Sequence, residues 1–180
     1  MHARTTSRVA VLAAAALIAL TGCATDATPA SDAQSTAAES VSVHNAWVKA
    51  ADHGMSAAFA ELENAGLTEV TVSAVTSAAS SDLQLHETVE NEAGEMAMRE
   101  KDGGFVIPAG ESLTLEPGGN HIMLMDLAKP IKAGDELSFT LTFSDGSTTE
   151  FTAPAKDYSG ANESYEGDDM EMDMEMGSDH

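Results

Sequence analysis

Short apolar runs with a two-residue period, separated by turn residues, are the feature that most constrains the fold of this chain. In the clearest run, Leu137, Phe139, Leu141 and Phe143 alternate with small polar residues. Successive side chains of a strand point to opposite faces, so this alternation places the apolar set on one face. The Asp-Gly pair at 145–146 follows the run and is typical of a hairpin turn.

Further stretches of this type fill the middle of the chain, and no convincing helical pattern interrupts them. Turn residues rich in Gly, Pro and Asn separate them near positions 64–66, 102–104, 108–110 and 117–120. The pattern predicts an all-β domain, a Greek-key β-sandwich or barrel. The predicted strands run from Val41 to Val48, Ala57 to Leu62, Val70 to Val75, Leu83 to Val89, Phe105 to Ile107, Leu113 to Leu115, His121 to Leu127 and Leu137 to Phe143.

The N-terminus predicts export and lipid anchoring. Residues 1–22 combine Arg4 and Arg8 with an apolar run of about a dozen residues, which is typical of a signal peptide and too short for a spanning helix. Leu20-Thr21-Gly22-Cys23 resembles a bacterial lipobox, which implies that Cys23 is acylated, as with palmitate. We expect the chain to be held on the outer face of the cytoplasmic membrane.

Cys23 is the only cysteine, and its acylation excludes several kinds of site. Neither a disulfide within the chain nor a thiolate metal site nor a thiol nucleophile remains available. A blue-copper electron-transfer site, which requires a cysteine thiolate, is excluded for the same reason.

The net charge of the mature chain excludes some classes of binding partner. Removing Arg4 and Arg8 with the signal peptide leaves six basic against thirty acidic side chains, a net charge of −24. Such a chain repels nucleic acid and anionic lipid head groups, so its membrane attachment must depend on the lipid anchor alone. Cations are attracted.

Composition divides the mature chain into three parts. Residues 23–40 contain almost no large apolar side chain and are predicted to form a disordered tether. Residues 41–157 form the predicted β domain. Residues 158–180 are an acidic, methionine-rich tail, which is also predicted to be disordered.

Histidine and methionine recur inside the β domain at positions that can converge. His86 lies in a predicted strand, Met96 and Met98 share a face by their spacing, and His121 and Met123 do so as well. Imidazole with thioether is a soft donor set that selects Cu(I) over Zn(II), Mg(II) or Ca(II). The alternative is that each methionine fills the core and each histidine is an ordinary hydrogen-bonded group.

The pattern His86-x11-Met98-x22-His121-x-Met123 resembles the signature of the periplasmic PCu(A)C copper chaperone family, over roughly Val43 to Ala155. The resemblance implies a cupredoxin-like fold that binds one Cu(I) through these two histidines and two methionines. It also implies that Met96 and Met125 pack below the site or hold a ligand, as accessory metal residues, with Met96 the alternative to Met98 as the ligand. The usual spacing between the first Met and second His is one residue shorter, and we place the extra residue in the loop at 101–104.

The same resemblance implies a function without catalysis. Members of the PCu(A)C family deliver copper outside the cytoplasm, toward the copper-centre subunit of cytochrome c oxidase, often alongside Sco-type thiol proteins. We expect a monomer that hands Cu(I) on by ligand exchange. Copper buffering or resistance remains an alternative, as does a metal-free, immunoglobulin-like surface lipoprotein, whereas a copper oxidase or superoxide dismutase would need more converging histidines.

The tail adds a second candidate copper region. Its methionines alternate with carboxylates, and the tail ends in a histidine, so it could collect Cu(I) or Cu(II) for the folded site. The alternative is a solubilising acidic tail. By contrast, His53 with Met55 is interpreted as incidental and His44 as structural. The candidate residues of the tail are Met170, Met172, Met174, Met176 and His180.

Overall fold

Extended backbone predominates in the computed structural model, which describes residues 35–160 and 164–165. No helix in this part of the chain is long and apolar enough to span a bilayer. The elements in chain order are α1 Ala37–Ser40, β1 Val41–Lys49, β2 Ser56–Asn64, β3 Val70–Ser77, β4 Leu83–Glu90, β5 Met96–Glu100, β6 Phe105–Ile107, β7 Ser112–Leu115, β8 His121–Leu124, β9 Glu136–Phe143, β10 Thr148–Lys156 and β11 Ser164–Tyr165.

The alternation of β9 builds a large part of the core. Leu137, Phe139, Leu141 and Phe143 are all buried, which confirms the predicted apolar face. After the turn at 145–146, β10 returns antiparallel to β9 and starts its ladder at Thr148. Burial of four large apolar side chains from one strand stabilises the domain by roughly 1.5–3 kcal/mol for each side chain.

The strands form one hydrogen-bonded path whose two halves enclose the core. The order is β11-β5-β4-β8-β2-β1-β10-β9-β3-β6, with β7 paired to β2 off this path. The halves join where β1 runs parallel to β10, at Val48 and Lys49. Buried side chains from both halves belong to one cluster, which includes Leu62 and Ile122 of the first half and Phe139 of the second. The prediction of an all-β Greek-key sandwich is confirmed.

Three strands, β5, β10 and β11, are missing from the sequence-based set, and β11 lies within the predicted tail. In β5 only Ala97 is fully buried, so the run shows little apolar pattern. β10 contains Pro154, which normally argues against a strand because proline has no N–H to donate. Here β1 pairs with β10 only at Ala155 and Lys156, so Pro154 needs no bond on that side. β8 ends at Leu124 rather than Leu127, because the chain leaves the ladder after it.

The predicted disordered tether at 23–40 is too long at its C-terminal end. Residues 37–40 form α1, in which Glu39 Oε2 accepts a hydrogen bond of 2.9 Å from the backbone N–H of Thr36. The backbone N–H of Ala37 donates to Asp145 Oδ2 at 2.8 Å, which ties the helix to the β9–β10 turn. The remainder of the tether, with Cys23, lies outside the described residues.

The boundary of the predicted tail also requires correction. Tyr158 packs against Trp47, with ring centroids 5.3 Å apart, and the carbonyl of Gly160 accepts a bond from Lys49 Nζ at 2.9 Å. The backbone of β11 then pairs in parallel with β5. We call residues 157–160 and 164–165 the C-terminal strap, which belongs to the domain. Residues 166–180, including all the tail methionines and His180, lie outside the described residues.

Candidate metal centre

Three neighbouring strands bring the predicted ligands to one face of the first half of the sheet. His86 of β4 lies directly opposite His121 of β8, and Thr88 of β4 lies opposite Met98 of β5. Since residues two apart share a face, Met98 projects on the same side as His86, and Met123 on the same side as His121. We call this side the metal face.

The opposite side of the same strands contributes to the main core. Leu85 of β4, Ala97 of β5 and Ile122 and Leu124 of β8 are buried there or against it. The alternation His121-Ile122-Met123-Leu124 therefore separates two environments. The aliphatic residues stabilise the sandwich, while the imidazole and thioether groups are held on the other side.

A cavity of about 200 Å³ opens on the metal face. Three of the four predicted ligands, Met98, His121 and Met123, border it. His86 does not line the cavity but lies next to His121, with ring centroids 5.5 Å apart and planes at 65°. The lining residues are Lys49, Met55, Ser56, Ala57, Phe59, Met98, Pro117, Gly118, His121 and Met123.

Hydrogen bonds orient both imidazole rings. His121 Nδ1 donates to the carbonyl of Gly119 at 3.0 Å, and His86 Nε2 donates to Gln84 Oε1 at 2.9 Å. A carbonyl oxygen only accepts, so the proton of each neutral ring lies on the bonded nitrogen and the lone pair on the other. The lone pairs are thus on Nε2 of His121 and Nδ1 of His86, and both atoms are buried. Such orienting bonds are typical of metal-binding histidines.

Burial also controls the protonation of the pair. Desolvation, followed by the nearby His121, lowers the pKa of His86 from 6.5 to about 4, although Asp82 acts in the opposite direction. His86 is fully buried and His121 is 2% exposed. His86 is therefore neutral at physiological pH, the form in which imidazole binds a metal.

The loop before β8 positions His121. Gly118 has a φ of +79°, a conformation that L side chains disfavour, and it allows the chain to turn tightly. The turn closes with a bond of 2.8 Å from the Glu116 N–H to the Asn120 carbonyl. The carbonyl of Gly119 accepts a bond of 3.2 Å from the backbone N–H of Thr88, so the loop is joined to β4 as well as to His121.

The two predicted accessory methionines of the domain lie outside the cavity lining. Met96, at the start of β5, is 49% exposed. Met125, just beyond β8, packs against a small cluster formed by Ala57, Phe59 and Met123. Within the described residues, no group of three or more His, Cys, Asp or Glu side chains could hold a metal ion.

Met55 is a cavity residue that the sequence analysis set aside. It precedes β2 directly and borders the cavity together with the three predicted ligands. Its neighbour in the sequence, His53, is exposed and does not line the cavity. The two-residue period could have identified it, because Met55 precedes Ala57 and Phe59 on one face of the strand.

An aromatic and basic border lies beside the metal face. Trp47 packs on Phe59 with ring centroids 4.5 Å apart, and Phe59 lies 6.3 Å from the ring of His121. Lys49 lines the cavity and binds the C-terminal strap through its Nζ. The strap reaches β5 at Tyr165, whose backbone is in register with Met98.

Comparison with known proteins decides the family. Residues 41–155 match the family model described as "Putative lipoprotein LpqE-like". The chain belongs to the LpqE-like family. This LpqE-like chain is 50% identical over 158 residues to "Putative lipoprotein Lxx21020" of Leifsonia xyli subsp. xyli (strain CTCB07), which covers 88% of this chain and 95% of the relative.

Solved structures extend this relationship. The LpqE-like chain shares its fold with the apo PCuAC domain from PmoF1, at a TM-score of 0.57 and 23% identity, covering 66% of this chain and 95% of that one. The solution structure of CuI-DR1885 from Deinococcus radiodurans matches at a TM-score of 0.53 and 27% identity, covering 71% of this chain and 87% of that one. The predicted resemblance to PCu(A)C domains and the cupredoxin-like fold are confirmed.

Proposed function

We propose that this LpqE-like chain is an extracytoplasmic copper(I) chaperone that binds one Cu(I) through His86, Met98, His121 and Met123. The observation that carries the proposal is the register of β5, β4 and β8, which places all four residues on one face. Three of them border a single cavity, and the fourth packs against His121.

The chemistry of the donors favours Cu(I) as the cargo. Thioethers are soft ligands that bind Cu(I) well and hard divalent cations poorly, and neutral imidazole completes such a set. The depressed pKa of His86 keeps this ligand deprotonated, so a proton does not compete with the metal near neutral pH. The solved relatives of this fold include CuI-DR1885 and a copper-bound PCuAC domain from PmoF2.

Transfer would proceed by ligand exchange. The cavity is partly open to solvent, and Met98 in its lining is half-buried, so an acceptor thiolate can approach and displace one thioether at a time. The acceptor we propose is the copper-centre subunit of cytochrome c oxidase or a Sco-type thiol protein. Acylated Cys23 would hold the monomer on the outer face of the cytoplasmic membrane, where such acceptors lie.

A role for the tail is part of the proposal. Its four methionines and its terminal histidine would capture Cu(I) or Cu(II) and raise the local concentration for the cavity. The last strand of the C-terminal strap, β11, pairs with β5, which carries Met98. The tail therefore starts close to the site that it would supply.

Anaerobic Cu(I) titration of the mature chain against a chelator probe tests the binding. A chain that ends at Tyr165 should bind one tight equivalent, and the complete chain should bind additional, weaker equivalents. His121→Ala and Met123→Leu should weaken the tight site, while His53→Ala, on an exposed histidine outside the cavity, is the matched control. If the chain binds no copper, the His/Met cluster is structural and the metal-free interpretation replaces this one.

Delivery is tested separately from binding. The copper-loaded chain, mixed with an apo copper-centre domain of cytochrome c oxidase, should lose its copper to that domain. In cells, deletion of the gene should lower oxidase activity at limiting copper. Unchanged oxidase activity together with greater sensitivity to excess copper would instead indicate copper buffering.

A further inference from the structure

Met55 packs against the small cluster of Ala57, Phe59 and Met123 and also faces the cavity of the metal face. It borders the same open cavity as Met98, His121 and Met123, at the N-terminal end of β2. In the β2–β8 ladder, Ala57 lies opposite Met123. Met55 precedes Ala57 by two residues, so it lies on the metal face beside Met123.

We propose that Met55 is a third thioether ligand of the copper site. This inference rests on the proposed function and adds a sulfur donor that the His-Met pattern does not contain. Cu(I) in the cavity would have three thioethers in reach, supplied by the residue before β2, by β5 and by β8. Two of them, with the two imidazoles, would complete a four-coordinate site at any moment.

The surroundings distinguish a ligand from a packing residue. Methionine in a core typically fills an irregular gap, and well-packed interiors leave few voids larger than a water molecule. Met55 instead borders a cavity of about 200 Å³ that three other soft donors share. Its half-buried side chain packs against the cluster of Ala57, Phe59 and Met123, which limits the directions in which its sulfur can point.

A third thioether also provides a mechanism for release. When Met98 or Met123 dissociates before the acceptor thiolate has bound, Met55 can occupy the vacated coordination position, and the ion need not pass through an under-coordinated state. Methionine has three rotatable bonds, so the exchange requires only rotamer changes. The prediction is that no single thioether is indispensable for binding.

The test is the NMR spectrum of the complete mature chain labelled with ¹³C at the methionine ε-methyl groups. On addition of one equivalent of Cu(I) under anaerobic conditions, the ε-methyl signal of Met55 should shift together with those of Met98 and Met123. The signal of Met96, which is 49% exposed and outside the cavity, should stay in place. Single Met→Leu variants assign the signals.

Affinity measurements complete the test. Met55→Leu should weaken Cu(I) binding only moderately, because two thioethers remain to complete the four-coordinate site, and the double variant Met55→Leu/Met123→Leu should lose more than the two single effects combined. Met96→Leu is the matched control and should bind like the wild type. A stationary Met55 signal beside shifting Met98 and Met123 signals would overturn the inference while the proposed function stands. If the wild type binds no Cu(I), both fail.

Discussion

His86 is the side chain whose surroundings differ most from those of an ordinary surface histidine. It is fully buried, its Nε2 donates to Gln84, and His121 lies against it. The burial and the neighbouring imidazole both favour the neutral ring, because a buried charge is costly and a second imidazole nearby adds repulsion on protonation. A residue that binds a cationic cargo at neutral pH benefits from this arrangement.

The shifted pKa predicts how the copper-free protein responds to acid. The unfolded chain binds a proton at His86 near pH 6.5, whereas the folded chain does so only at about 4. The contribution of neutral His86 to the free energy of unfolding is therefore fully present above pH 6.5. It is lost as the pH falls toward 4, and the total loss is about 3 kcal/mol.

Histidine ring NMR across this range measures the pKa directly, and urea unfolding at several pH values measures the stability. Carboxylates titrate in the same window, so the slope is compared with that of His86→Gln, from which this contribution is absent. An inflection of the His86 ring signal near pH 6.5 would contradict the prediction.

Two adjacent glycines provide a second test at single positions. Gly103 and Gly104 both have a φ of +79°, but a Cβ on Gly104 would meet the carbonyl oxygen of Val72 at 2.1 Å, whereas one on Gly103 would meet nothing within 4 Å. Gly103→Ala should cost about 1–2 kcal/mol, the penalty for a left-handed L residue. Gly104→Ala should cost more, because backbone must also move. Equal losses in chemical denaturation would refute the role of Val72.

The elements around the metal face owe their positions to pairing between distant strands. β4 lies between β5 and β8, and β2 lies on the far side of β8. The C-terminal strap then passes Trp47 and Lys49 of β1 before reaching β5. The metal face is therefore bordered by β1 and by the C-terminal strap, which come from opposite ends of the domain.

Truncation tests the strap as an element. A chain ending at Lys156 loses the contact of Tyr158 with Trp47, the bond from Lys49 to Gly160 and the pairing of β11 with β5. We expect a lower melting temperature and a red-shifted emission from Trp47, the only tryptophan of the chain, as it becomes more exposed.

A chain ending at Tyr165 is the matched control, because it retains the strap and lacks only the tail. Its Trp47 emission and its melting temperature should match those of the complete chain. If both truncated chains behaved alike, the strap would not be part of the domain.

At the scale of the whole molecule, charge and attachment are linked. Cleavage before Cys23 would leave a mature chain with a net charge of −24, which anionic lipid would repel rather than bind. The proposed anchor at Cys23 would then supply the membrane affinity, since acyl chains bind through the hydrophobic effect and are insensitive to salt.

Replacement of the anchor residue checks this expectation. Cys23→Ser should move the protein from the detergent phase to the aqueous phase in a phase-partition assay and release it from washed membranes. The wild type should remain bound in a high-salt wash, which serves as the control for charge-mediated attachment. Release of the wild type by salt would show that electrostatic contacts hold it.

Local sequence patterns were sufficient to predict much of the fold and the family resemblance. The alternation in β9, the hairpin turn after it and the separation of strands by Gly and Pro follow from the two-residue period of the pleat, which is a property of neighbouring residues. The His-x-Met pattern at 121–123 likewise identifies a shared face without knowledge of the partner strand. The β10 strand was missed because Pro154 argues against a strand unless its pairing is known.

The tertiary structure alone decided which distant side chains meet. Met55 and Met123 are neighbours because β2 and β8 pair, and Met98 shares a face with His86 because β5 and β4 pair. The C-terminal strap joins the domain through contacts with Trp47 and β5. Strand pairing depends on the free energy of the whole sandwich, which no local period encodes. Thus the sequence determined which residues could bind copper, and the register between strands determined which of them border one cavity.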